Sequence, residues 1–218
     1  MQSEPLNDPA WQRLLDGVRS FRREVFPAHR AVYETVASEG QKPHTLLITC
    51  ADSRIDPELL TSSGPGEIFV TRNIGNLVPA YGEMLGGVSA VIEFAVSGLG
   101  VRHIVVCGHA DCGAMKGLLR PESVESMPTV RQWLRNAAAA LSIVQARDAG
   151  SPPDVFMEQL IETNVLLQLD HLRTHPSVAG QMARGVLSLH GWVYEIGTGI
   201  VRMHDPALGR FAPINGDQ

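Results

Sequence analysis

TLLITCADSR, residues 45–54, begins as a nearly continuous apolar run from Thr45 to Cys50 and ends in charged and small polar residues. A short run of that kind fits a strand buried on both faces of a parallel sheet. Glu67–Thr71 (EIFVT) and His103–Cys107 (HIVVC) repeat the pattern. Between these two, Leu85–Leu99 is apolar and rich in small residues, which predicts a crossover helix. Strand, helix and strand in this order imply right-handed parallel connections, with helices on both faces of the sheet. The expected fold class is therefore α/β, with a mostly parallel central sheet.

Working outward, two further helical stretches are expected near 128–147 and 154–174, separated by the loop Asp-Ala-Gly-Ser-Pro-Pro at 148–153. From Val186 to Asp205 the pattern changes: apolar residues up to Ile196, then Gly197-Thr198-Gly199, then Ile200-Val201-Arg202 predict an antiparallel β-hairpin near the C-terminus. Toward the N-terminus, Asp8-Pro9 fits a helix cap followed by proline in the first turn. Trp11, Leu14, Leu15, Val18, Phe21, Val25 and Phe26 then form one apolar stripe at helical spacing. Pro27 is expected to break or restart that helix, and a second runs from Ala28 to Ser38 before Gly40. The organisation expected is an N-terminal helical arm over 1–43 and an α/β domain over 44–218, one domain overall.

With 44 % apolar and 19 % charged residues in 218, the composition argues against disorder. The net charge of −5 argues against nucleic acid as a partner, which calls for clustered basic charge. No uninterrupted apolar run is long enough to span a membrane, and MQSEPLNDPAW does not read as a secretory leader. Three cysteines, Cys50, Cys107 and Cys112, do not make a disulfide framework. The expectation is a cytoplasmic protein with reduced thiols.

Two clusters carry the chemistry. Cys50-Ala51-Asp52-Ser53-Arg54 leaves the first buried strand, and Gly108-His109-Ala110-Asp111-Cys112-Gly113 leaves the HIVVC strand. Ligands of open parallel sheets bind beyond the carboxyl ends of the strands, so Cys50, His109 and Cys112 are candidates to meet at one point. Two thiolates and an imidazole suit zinc, and three protein ligands with an open position are the catalytic pattern. Asp52 has two readings: a fourth ligand that closes the site, or a carboxylate held by Arg54, whose planar fork suits it.

CADSR followed by GHADCGA resembles the β-class carbonic anhydrases, whose signature is C-[SA]-D-S-R with H-x-x-C-G. PGEIFVTRNIGNLVP, GGVSAVIEFAV, LHGWVYEIGTG and IETNVLLQL are similar to that family as well, so the likeness covers roughly residues 40–205. The resemblance implies one Zn2+ per subunit on Cys50, His109 and Cys112, with Asp52–Arg54 as a catalytic dyad orienting a zinc-bound hydroxide for attack on CO2. It implies that Gln41, Phe69 and Gly113 line the substrate pocket, Gln41 from a neighbouring subunit, and that Val70–Asn73 supports the site. It also implies a homodimer or homotetramer. The chain departs from some members at Phe94, where they carry a tyrosine, and at Leu47, where one subgroup carries a tryptophan of a bicarbonate effector pocket. Leu47 favours the subtype in which Arg54 keeps Asp52 off the metal.

Two alternatives stand beside CO2 hydration: hydrolysis of CS2 or COS on the same scaffold, and a non-catalytic zinc protein such as a bicarbonate sensor or assembly component. Other residues have plainer readings. His44 and His103 fit turn or surface positions; Cys107, Trp133 and Trp192 fit the core; Asp111 fits a loop, with a supporting role at the metal as the sharper option. His171 and His175 share a helix face at i, i+4, but the glutamate of a zincin motif is missing and Pro176 ends the helix. Gly86-Gly87 lacks the G-K-[ST] of a phosphate loop and fits close helix packing.

Overall fold

β1 (Thr45–Cys50) sits inside the sheet, and it is buried from Leu46 onward because both of its edges and both of its faces are covered. β2 (Ile68–Asn73) pairs with it in parallel on one side and β3 (His103–His109) on the other. β4 (Ser188–Tyr194) continues the parallel set next to β3. β5 (Val201–Asp205) and β6 (Arg210–Pro213) then add antiparallel, giving the order β2-β1-β3-β4-β5-β6. The computed structural model describes residues 8–83, 86–148 and 150–214. The chain divides into two compact units, residues 1–41 and 42–218.

In the second unit the side chains of β1 and β3 alternate between two clusters. Leu46, Ile48, Ile104 and Val106 enter the main core. Leu47, Val105 and Cys107 form a smaller cluster that Leu60, Val70, Trp192 and Tyr194 partly cover. The main core is closed by the long helix Pro153–Thr174, which buries Leu160, Ile161, Val165, Leu169 and Leu172. That helix lies very close to the sheet. A Cβ on Gly108 would stand 2.8 Å from Val165 Cγ2 and 3.2 Å from Ile161 Cγ2.

The expected crossover helix is present as Gly87–Glu93, continued by a π turn over Phe94–Gly98; Leu85, where it was expected to begin, lies outside the described residues. The close packing expected of Gly86-Gly87 is not found, since a Cβ on either would meet open space. The 128–147 stretch forms Pro128–Trp133 and Ala138–Asp148, joined by a 3₁₀ turn at Leu134–Ala137. β4 and β5 make the expected hairpin. β6 was not expected: four residues with one buried side chain, Phe211, are too few to show a strand period.

In the first unit, Asp8 caps the helix Pro9–Ser20 by accepting from the Ala10 N–H at 2.9 Å. The chain stays helical through a π turn at Phe21–Val25 and through Pro27, so the break falls at His29 rather than at the proline. A further helix, Arg30–Glu39, ends at Gly40, whose φ of +76° is the left-handed stop that glycine permits. Phe26 stacks on Tyr33 and Phe21 packs edge-on or tilted against both, while Trp11, Leu14, Val18 and Val25 are exposed. Among the described residues no helix is long and apolar enough to cross a membrane.

The contact between the long helix and Gly108 gives a test of the packing. Gly108→Ala drives a methyl into the branched Val165 side chain, and overpacking of this kind costs about 1–3 kcal/mol. The expected result is a lower urea midpoint at unchanged slope.

Candidate metal centre

Because β1 and β3 are parallel neighbours, their carboxyl ends lie side by side and deliver Cys50 and His109 to one place. After His109 the chain turns through Asp111, which takes a left-handed φ of 60°, a conformation that Asp tolerates better than most residues. The turn brings in Cys112 as the residue preceding the short helix Gly113–Leu119. One donor atom from each of Cys50, His109 and Cys112 lies within 4.8 Å of the other two, and all three residues are buried.

The chemistry of this trio fits a cation. His109 Nδ1 lies 2.8 Å from the Ala110 carbonyl, which can only accept, so Nδ1 carries the proton and Nε2 the lone pair. Nε2 is fully enclosed and has no hydrogen-bond partner among the described residues. A buried acceptor without a partner costs about 1–3 kcal/mol, and an ion at the cluster removes that cost. The neighbouring Cys112 holds Cys50 below the ordinary thiol value, and the same contact, with burial, raises Cys112. A divalent ion would let both become thiolates. Cys50 Sγ also accepts the Gly75 N–H at 3.4 Å.

Asp52 stands beside the trio, with Oδ2 4.0 Å from His109 Nε2, yet Arg54 engages both of its oxygens. Arg54 Nε and backbone N–H donate to Oδ1 at 2.9 and 3.0 Å, and Nη2 donates to Oδ2 at 2.7 Å. The guanidinium beside Asp52 holds its carboxyl well below the usual carboxylate range. Arg54 is fixed in turn by Asp111, which accepts from Nη1 at 3.0 Å and also pairs with Lys116. Asp111 is thus part of the dyad's framework rather than a bystander in its loop. Arg72, within the stretch expected to support the site, donates to the carbonyls of Cys50 and Asp52 at 3.2 and 2.6 Å.

Of the expected pocket residues, Phe69 lies half-buried on β2 with its ring 6.0 Å from that of the exposed Phe94. Gly113 opens the short helix after Cys112 and has open space around its Cα. Gln41 is exposed at the end of the first unit. Cys107 sits apart in the smaller cluster with its thiol pushed up to about 12 by burial, which keeps it protonated. His171 and His175 bind no common ion: Nδ1 of the first meets the Val78 carbonyl at 2.7 Å and Nε2 of the second the Pro79 carbonyl at 3.0 Å.

The sequence reading missed what holds the loop under Cys50. Gly75 has φ +78°, and a Cβ there would meet Ala114 Cβ at 2.8 Å. The Gly75 carbonyl accepts from Asn164, the Ile74 carbonyl from the Trp133 indole at 2.8 Å, and Gln168 accepts from the Val78 N–H at 2.8 Å. Gln168 also donates to Asn164 Oδ1 at 2.8 Å. The available signal was two amides at i, i+4 within the apolar run IETNVLLQL.

The chain is similar to known proteins. A family model described as carbonic anhydrase matches residues 45–201. A carbonic anhydrase of Synechococcus elongatus is 46 % identical over 191 residues, 87 % of this chain and 70 % of that protein. Among solved structures, the β-carbonic anhydrase CcaA is 41 % identical with a TM-score of 0.90, covering 94 % of this chain and 99 % of that one. A structure of two tetrameric β-carbonic anhydrases from Sordaria macrospora is 28 % identical with a TM-score of 0.76, covering 94 % and 100 %.

Elemental analysis of purified protein tests the cluster directly. Cys50→Ser, His109→Ala and Cys112→Ser should each lose bound metal at least tenfold relative to the parent chain. Cys107→Ala, which removes a sulfur outside the trio, should retain it.

Proposed function

The chain belongs to the carbonic anhydrase family, in its β class, and from that premise we propose that it catalyses the reversible hydration of CO2 to bicarbonate and a proton at a zinc ion held by Cys50, His109 and Cys112. The observation that carries this reading is the unpartnered Nε2 of His109 beside two buried sulfurs, next to a carboxylate that Arg54 holds on both oxygens. Zinc would supply a bound water of lowered pKa, about 7 in the familiar three-histidine carbonic anhydrases, a value from that general case and not from this chain.

The protein's own groups do the rest. Asp52, fixed by Arg54, would present an acceptor to the O–H of a water activated at the metal. Because Arg54 engages both of its oxygens, Asp52 would orient that water and not serve as a ligand itself. Phe69 gives an apolar wall suited to a neutral linear molecule. The Gly113 N–H, at the start of its helix, and Gln41 from a neighbouring subunit suit the anionic product. The exposed stripe of Trp11, Leu14 and Val18 in the 1–43 arm supports assembly as a homodimer or homotetramer, with 44–218 as the catalytic domain. Cys50, Cys107 and Cys112, none of them in a disulfide, support a reducing, cytoplasmic setting.

Since Arg54 depresses the Asp52 carboxyl below its ordinary value, Asp52 stays ionised through neutral and mildly acid pH, and the dyad is lost only as pH falls through that depressed value. Stopped-flow CO2 hydration is the test. Asp52→Ala and Arg54→Ala should each lower kcat about 100-fold or more with metal content retained. Activity unchanged in both, or sulfide release from CS2 exceeding CO2 turnover, overturns the proposal.

A further inference from the structure

His103 opens β3, and His190 lies in β4 opposite Val105. His103 alternates with Val105 and Cys107, which place it on the face of the smaller cluster, away from the main core. There the two rings meet: His103 Nδ1 lies 3.2 Å from His190 Nε2, with ring centroids 5.2 Å apart and planes at 50°. They border a cavity of about 580 Å³ whose wall also includes His44, Glu67, Trp192 and Met203.

We propose that His103 and His190 form a second metal site, separate from the Cys50–His109–Cys112 cluster, for a divalent ion of the zinc, nickel or copper class. In the metal-free chain the two nitrogens share one proton. Two imidazole nitrogens bound to a single ion at about 2.0–2.1 Å stand roughly 2.9–3.4 Å apart, for angles between square and tetrahedral. The observed 3.2 Å falls inside that range, so an ion replaces the shared proton with little movement of either ring. Neighbouring strands fix both side chains, which removes much of the ordering cost of binding.

The surroundings agree. Imidazole pairs favour zinc, nickel and copper over the harder ions. Burial, then the neighbouring His103, holds His190 below the ordinary histidine value, so its lone pair is available at neutral pH. Glu67 supplies the one acidic side chain in the cavity wall, and no lysine or arginine lines it among the described residues. No third histidine, cysteine or carboxylate completes a cluster there among the described residues, so the remaining positions fall to solvent or a small anion. The pair lies six residues along β3 from His109, about 20 Å of strand, so the two sites load independently.

Calorimetric titration of the metal-loaded full-length protein with NiCl2 tests the assignment without any reliance on catalysis. One further equivalent of Ni2+ is expected in the parent chain. Its affinity should fall at least tenfold in His103→Ala and in His190→Ala, and be kept in His44→Ala. His103→Asn and His190→Gln, which preserve polarity and much of the volume, should show the same loss should either alanine variant fail to fold. Absence of the extra equivalent in the parent chain, or its persistence in variants of both histidines, overturns the proposal.

Discussion

Arg54 grips both oxygens of Asp52, and that contact decides what the buried sulfur–nitrogen trio can become. A carboxylate 4.0 Å from the imidazole nitrogen of His109 is close enough to compete for an ion between them. Free to turn, it would supply a fourth ligand and make a closed, structural site. Bound in a planar fork, it faces away from that role and serves as an acceptor. Asp111 adds a second anchor on the guanidinium, so the arrangement rests on three charged side chains rather than two. Each is at least partly exposed, so the network's value lies in orientation more than in stability.

The framework behind the site solves a different problem. A loop that passes beneath a cysteine at the end of a buried strand carries peptide groups out of reach of water. Asn164 from the long helix and Trp133 from another satisfy the carbonyls of Gly75 and Ile74, Gln168 accepts from the Val78 N–H, and Asn73 pairs with both peptide groups of Leu77. Each such group left alone would cost about 1–3 kcal/mol. The loop is therefore held rigidly under Cys50, and the Gly75 N–H reaches the sulfur as a consequence. The fold and the metal cluster are coupled through this loop: the long helix that closes the core also fixes one ligand.

The parallel sheet, its crossover helix and the C-terminal hairpin could be read in advance because each rests on local periodicity, as TLLITC and HIVVC show. Cys50, His109 and Cys112 could be read because strand exits in a parallel sheet converge. What escaped was non-local. The role of Asn164 and Gln168 depends on which loop the helix meets. Asp111 looks like any turn acid until Arg54 is seen to reach it across 57 residues. Pro27 was expected to break or restart the helix; it sits in the first turn of the short segment Phe26–Ala28 that follows the π turn, and the break comes at His29. The two glycines at 86 and 87 were assigned to packing that does not occur, because glycine composition alone does not say what stands opposite.

The two ends of β3 differ in a way that ligand chemistry explains. At the carboxyl end an enclosed imidazole meets two thiols that can ionise fully only against a cation, so an ion there becomes part of the fold. At the amino end two imidazoles are hydrogen-bonded to each other, and their cavity is open on one side of the sheet. An ion there replaces a shared proton instead of relieving an unpaired group, and solvent must complete its shell. Fewer protein ligands, no thiolate charge and a hydrogen bond already made all point the same way: an ion at the carboxyl end would be held more tightly than one at the amino end.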